Sequence, residues 1–140
     1  MINLFKKVVM LVFFIPTVLF GKTQYFSDGL SLYNKKKFEE AKFKFEQDIV
    51  FNPKNEMSYL YLSKIFKNMD KKELEEQYLN TVILLNPKNE EAIFYLAKLK
   101  LETSDYERSK ELNDRLMSLC SKFCSQSQKL KKEIENLSKK

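Results

Sequence analysis

The tetrapeptide Asn-Pro-Lys-Asn occurs at residues 52–55 and again at 86–89, and this 34-residue interval constrains the fold more than any other feature of the chain. Proline disfavours helix in the residue before it, so each copy stops a helix, and an asparagine can open the next one. Around these stops apolar residues recur at helical spacing, two runs per interval with a polar break between them. Ala41, Phe45 and Ile49 stand at i, i+4 and i+8 with Phe38 above them. The next interval carries Tyr59, Leu62, Ser63 and Phe66, then Leu74, Tyr78, Val82 and Leu85; the third carries Ile93, Leu96, Ala97 and Leu101, then Tyr106, Leu112, Leu116 and Leu119. A two-helix unit that exposes an apolar side must stack on its neighbours, so a short array of helix pairs is expected.

Two Gly and three Pro in 140 residues leave few turns and favour long helices, and no period-2 strand pattern follows residue 22. The class is all-α. One further regularity supports stacking over a nonrepeating bundle of three or four helices, the competing arrangement. Gly29, Ser63 and Ala97 recur every 34 residues, and helices that cross closely need a site without a bulky side chain.

These residues resemble tetratricopeptide repeats. With Lys22, Glu56 and Glu90 as first positions, the family's small residue is matched by Gly29, Ser63 and Ala97. Other consensus positions are matched by Leu62 and Leu96, Phe38 and Tyr106, Ala41 and Ser109, Phe45 and Leu79, and Pro53 and Pro87. Asp28, Lys72, Glu75, Asn113 and Ser121 depart from the pattern. The resemblance implies a short right-handed α-solenoid of three helix-turn-helix repeats, 22–55, 56–89 and 90–123, with a capping helix over 124–140. In the cap, Leu130, Ile134 and Leu137 form one narrow apolar stripe, as a terminal repeat needs.

It also implies a non-catalytic adaptor or scaffold for protein–protein interaction, with a concave groove lined by the first helix of each repeat. The groove rows are then Phe26, Leu60 and Phe94; Leu30, Lys64 and Lys98; and Tyr33, Lys67 and Leu101, with Lys64 and Lys98 near each other. Mixed apolar and cationic groups favour another protein or a peptide segment with apolar anchors and acidic residues. The family's carboxylate clamp of paired Lys and Asn is not reproduced. The alternative is a structural subunit of a membrane- or envelope-associated complex acting through self-association.

Residues 1–21 differ from the rest: Lys6 and Lys7 precede an apolar run from Val8 to Phe20, broken by Pro16 and Thr17, and Gly21 follows. A signal peptide has this order, and a membrane span needs about 20 apolar residues. The expectation is export to the periplasm or cell envelope with cleavage near residue 21. An uncleaved anchor, the only membrane attachment foreseen, is the alternative.

Chemistry is constrained by what is missing. There is no His, the commonest general base and metal ligand, and two Gly cannot build a phosphate loop, so no catalytic residue, metal or cofactor is expected. Glu39-Glu40, Glu75-Glu76 and Glu90-Glu91 are expected on solvated helix starts and faces. The net charge of +6 is spread as Lys, with Arg only at Arg108 and Arg115, which disfavours nucleic acid as a partner. Cys120 and Cys124 flank the turn where Ser121 replaces the expected proline; they form either a local disulfide in an oxidising compartment or two buried reduced thiols.

Overall fold

The structure, a computed structural model, describes residues 24–119 and 121–138. The segment 1–23, Cys120 and the last two residues lie outside the described residues. Seven helices and no strand occur among the described residues: α1 Gln24–Asn34, α2 Phe38–Phe51, α3 Glu56–Asn68, α4 Lys72–Leu85, α5 Glu90–Glu102, α6 Tyr106–Leu119 and α7 Cys124–Leu137. They pack as consecutive pairs, α1 with α2, α3 with α4 and α5 with α6, each pair stacked on the next, and α7 covers α6 and touches α5. The array is an all-α helical-repeat solenoid.

Both kinds of turn are built from the repeat. Between pairs, the Asn52 and Asn86 amides close the preceding helix onto the Asp48 and Val82 carbonyls, and proline follows. Asn55 Oδ1 then accepts from the Met57 amide and Asn89 Oδ1 from the Ala92 amide, which supplies a partner for one of the otherwise unsatisfied donors at each helix start. Within pairs, the chain reverses through Lys36, Asp70 and Ser104, all in the left-handed region at φ 59°, 54° and 64°. Each turn carries the same bond across six residues, Lys37 N–H to Leu32, Lys71 N–H to Phe66 and Asp105 N–H to Lys100, which ends the first helix of the pair with a Schellman motif.

Gly29, Ser63 and Ala97 are all buried. A Cβ on Gly29 would stand 2.8 Å from Phe45 Cε1, so the glycine is what lets α2 approach α1. At the third crossing the Ser109 hydroxyl donates to the Ala97 carbonyl at 2.7 Å.

The core divides into two clusters. Ala41 and Phe45 of α2 pack with Leu62, Ile65 and Phe66 of α3, while Leu60 of α3 belongs with Leu79, Val82, and the buried residues of α5, α6 and α7. Buried polar side chains also join elements. Buried Asp48 of α2 accepts from the Ser58 hydroxyl and, at 2.7 Å, from Asn55 Nδ2. Buried Ser127 of α7 donates to Asn113 Oδ1 at 2.8 Å.

Three expectations are corrected. Glu75 is 3% exposed, not solvated, because it occupies the position where Ala41 and Ser109 pack between helices. Glu90 turns its carboxylate onto the 121–123 turn, accepting from the Ser121 amide and hydroxyl and from the Lys122 and Phe123 amides. In α7 the buried stripe is Ser127, Leu130 and Ile134, whereas Leu137 is 37% exposed in the last turn.

Candidate functional site

The first helices α1, α3 and α5 lie in sequence across the array, and each brings an aromatic ring or a lysine to a shared face. Tyr33 of α1 meets Tyr61 of α3 edge-on at 5.0 Å, and Tyr61 stacks on Phe45 at 5.1 Å, which locks its orientation. The Lys64 ammonium sits 4.9 Å from the Tyr61 ring centre and 6.0 Å from that of Tyr95 on α5, and Lys67 sits 5.4 Å from Tyr95. An ammonium over a ring face is attracted by its negative quadrupole, so rings and lysines alternate as one strip instead of splaying into solvent.

Electrostatics hold the strip in place. Lys64 pairs with Glu91 of α5 at 2.7 Å. Burial pushes the Lys64 ammonium down, but its hydrogen bond to Glu91 and that carboxylate's charge leave it net above its ordinary value, so it stays charged throughout the physiological range. Burial raises the Tyr33 hydroxyl, with Lys64 pulling the other way. Lys67 reaches the buried Glu75 at 3.8 Å; burial raises that carboxyl above the usual range and Lys67 only partly offsets it.

Of the residues expected to line the groove, Tyr33, Lys64 and Lys67 come together in this strip. Phe94 and Lys98 line an open cleft between α5 and α7, with Gln126, Lys129, Leu130 and Glu133 opposite them. Lys98 thus faces the capping helix, while Lys64 is held by Glu91. Phe26 is half-buried against Phe45 and Tyr61, and Leu30 is half-buried on α1. Leu60 and Leu101 are 1% and 8% exposed and belong to the core. Tyr61, Tyr95 and Glu91 did not figure in the sequence expectation; the two tyrosines stand 34 residues apart, so the same period carried the signal.

Cys124 is disulfide-bonded. Its pairing with Cys120, which lies outside the described residues, is an expectation for mass measurement. Among the described residues no cluster of His, Cys, Asp or Glu is arranged to hold a metal ion, and no helix is long and apolar enough to cross a membrane.

No protein-family profile and no curated protein sequence matches the chain. Solved structures do. The chain is similar to the type III secretion chaperone SycD of Yersinia enterocolitica in complex with a peptide of the translocator YopD, with TM-score 0.74 and 18% identity over 84% of this chain and 93% of that one. It is also similar to the first TPR of Spaghetti (RPAP3) bound to the HSP90 peptide SRMEEVD, with TM-score 0.72 and 17% identity over 81% and 90%. The TPR2B domain of yeast Sti1 in complex with pHsp70 gives TM-score 0.74 and 13% identity over 81% and 94%. At these identities the likeness is one of fold: the chain has the architecture of a tetratricopeptide-repeat domain.

Proposed function

We propose that this chain is an exported, non-catalytic adaptor that holds a segment of another protein against the α1, α3 and α5 face, the concave side of the tetratricopeptide fold. The carrying observation is the Tyr33, Tyr61, Lys64, Tyr95 and Lys67 strip, in which rigid rings and cations present one continuous surface across three helices. Rings offer contact area at low cost in side-chain freedom, and the lysines select an acidic or carbonyl-rich segment. The peptide complexes of SycD and of RPAP3 support the reading by analogy of fold. Export rests on the order of charge and apolar residues in 1–21.

The test combines capture with titration. A photo-crosslinking aromatic residue in place of Tyr95, compared with one at the exposed Lys110 of α6, identifies the segment held in intact cells. Gln keeps a donor for Glu91 at position 64 and for Glu75 at position 67, so Lys64→Gln with Lys67→Gln changes the charge of the face while sparing the fold. The expected result is that the captured segment, made as a peptide, binds the double variant several-fold more weakly at an unchanged melting temperature. Unchanged affinity, or equal capture from positions 95 and 110, refutes the assignment of this face.

A further inference from the structure

The turns between repeats line one edge of the solenoid. Asn86 Nδ2 donates to Glu56 Oε1 at 3.0 Å, which sets the 86–89 turn beside the end of the 52–55 turn. The Glu90 carboxylate gathers the amides of 121–123, which sets the third turn beside the second. Tyr25, in the first turn of α1, stacks on Phe51 at 5.5 Å, so the start of α1 lies on this edge too.

Lys54, Lys88 and Lys122 occupy equivalent places in the three turns, 34 residues apart, and all are exposed. None of them takes part in an ion pair among the described residues. Next to the first two lie the most exposed large apolar side chains of the array, Val50 at 74%, Phe51 at 65% and Leu84 at 81%. The acids that follow the turns are engaged elsewhere: Glu56 by Asn86, Glu90 by the 121–123 turn and Glu91 by Lys64. What this edge offers is therefore a row of three exposed cations with apolar side chains exposed at the adjoining helix ends, while the neighbouring carboxylates are turned onto internal partners.

We infer that this edge lies on an anionic lipid surface. Apolar tips enter the boundary of headgroups and acyl chains while lysines stay at headgroup level, a division of labour that a bilayer interface satisfies along its whole length. The polarity of the chain agrees. Gln24, which joins the described array to the segment containing the apolar run Val8 to Phe20, opens α1 on this same edge.

The experiment uses the protein as isolated from the cell, with vesicles of phosphatidylcholine alone and of phosphatidylcholine mixed with phosphatidylglycerol. Backbone hydrogen exchange of peptides spanning 49–55 and 83–89 is expected to slow on the mixed vesicles only. Lys54→Glu, Lys88→Glu and Lys122→Glu together are expected to abolish that protection and to reduce the anionic part of vesicle partitioning by about fivefold or more per lysine. The corresponding three Lys→Gln changes, neutral and on exposed sites, give the same direction if the charge-reversed protein does not fold. Protection at these turns on both vesicle types alike, on neither, or undiminished in the folded variants overturns the inference. Protection that arises without vesicles and grows with protein concentration also overturns it, and assigns the edge to a second copy of the chain.

Discussion

Replacing Gly29 by alanine sets two effects of opposite sign against each other at one atom. In a helix interior alanine is favoured over glycine by about 1 kcal/mol, so an unobstructed site would gain stability. The new Cβ, however, would stand 2.8 Å from Phe45 Cε1, 2.9 Å from Cδ1 and 3.1 Å from Cζ. Phe45 is fully buried, stacked on Tyr61 with an interplanar angle of 8° and tilted against Phe26, so its ring cannot retreat without disturbing α1 and α3. Overpacking of a filled core costs about 1 to 3 kcal/mol, which outweighs the helix gain and leaves a net loss of about 1 kcal/mol. For a domain of this size that is a fall of about 4 °C in melting temperature, read by circular dichroism. Gly29→Leu should fall further, and Ser31→Ala, on the exposed side of α1, should rise slightly. In a Phe45→Leu background the alanine should lose most of its cost, a coupling of about 0.5 to 3 kcal/mol for residues in contact. A Gly29→Ala protein that melts at or above the parent temperature would refute the close crossing.

Glu90, whose carboxyl is lowered to about 2 by the Ser121 hydroxyl first and then by the 122, 121 and 123 amides, should stabilise the fold above its ordinary value near 4.5 and lose that effect as pH falls towards about 2. The gap in urea midpoint between parent and Glu90→Gln should therefore shrink between pH 6 and pH 2.5, and a constant gap would contradict it. Glu75 has the opposite sign: burial raises its carboxyl, so its favourable contribution is present at low pH and is lost as pH rises through the raised value. Glu75→Gln should raise the urea midpoint at pH 7 and give no gain at pH 4. Because Ser104 pays for a left-handed φ of 64°, Ser104→Gly should stabilise by about 0.5 to 1 kcal/mol, visible as a higher melting temperature. Alkylation of Cys120 and Cys124 should add mass only after reduction; two thiols alkylated without reductant would exclude their pairing.

The sequence made the helix stops legible because proline acts on its neighbour whatever the tertiary context, and Asn55 and Asn89 cap where Asn-Pro-Lys-Asn ends. The close crossing at Gly29 was legible because three small residues share a period. The polar breaks within repeats were legible as well, but their left-handed backbone was not, since Lys36, Asp70 and Ser104 carry no glycine to mark it. Glu75 and the Ser127–Asn113 bond were hidden for a related reason: a polar residue is read as solvated unless its partner, distant in sequence, is known. In the candidate face, family positions placed Tyr33, Lys64 and Lys67 together but also named Leu60 and Leu101, which neighbouring helices close over. Lysine orientation depends on which ring or carboxylate it finds, and only the fold put Tyr61, Tyr95 and Glu91 within reach.

The division of the core has a consequence for motion. α3 gives Leu60 to one cluster and Leu62, Ile65 and Phe66 to the other, so α1 and α2 rest on a set of contacts separate from the larger set that reaches α7. Native-state hydrogen exchange should fall into two tiers, with the amides of α1 and α2 opening at lower free energy than those of α5 and α6. The tyrosine and lysine strip straddles the seam, with Tyr33 on one side and Tyr95 on the other. A segment bound across it would act as a splint, binding only the closed seam and so slowing the opening of α1 and α2 in proportion to its own occupancy.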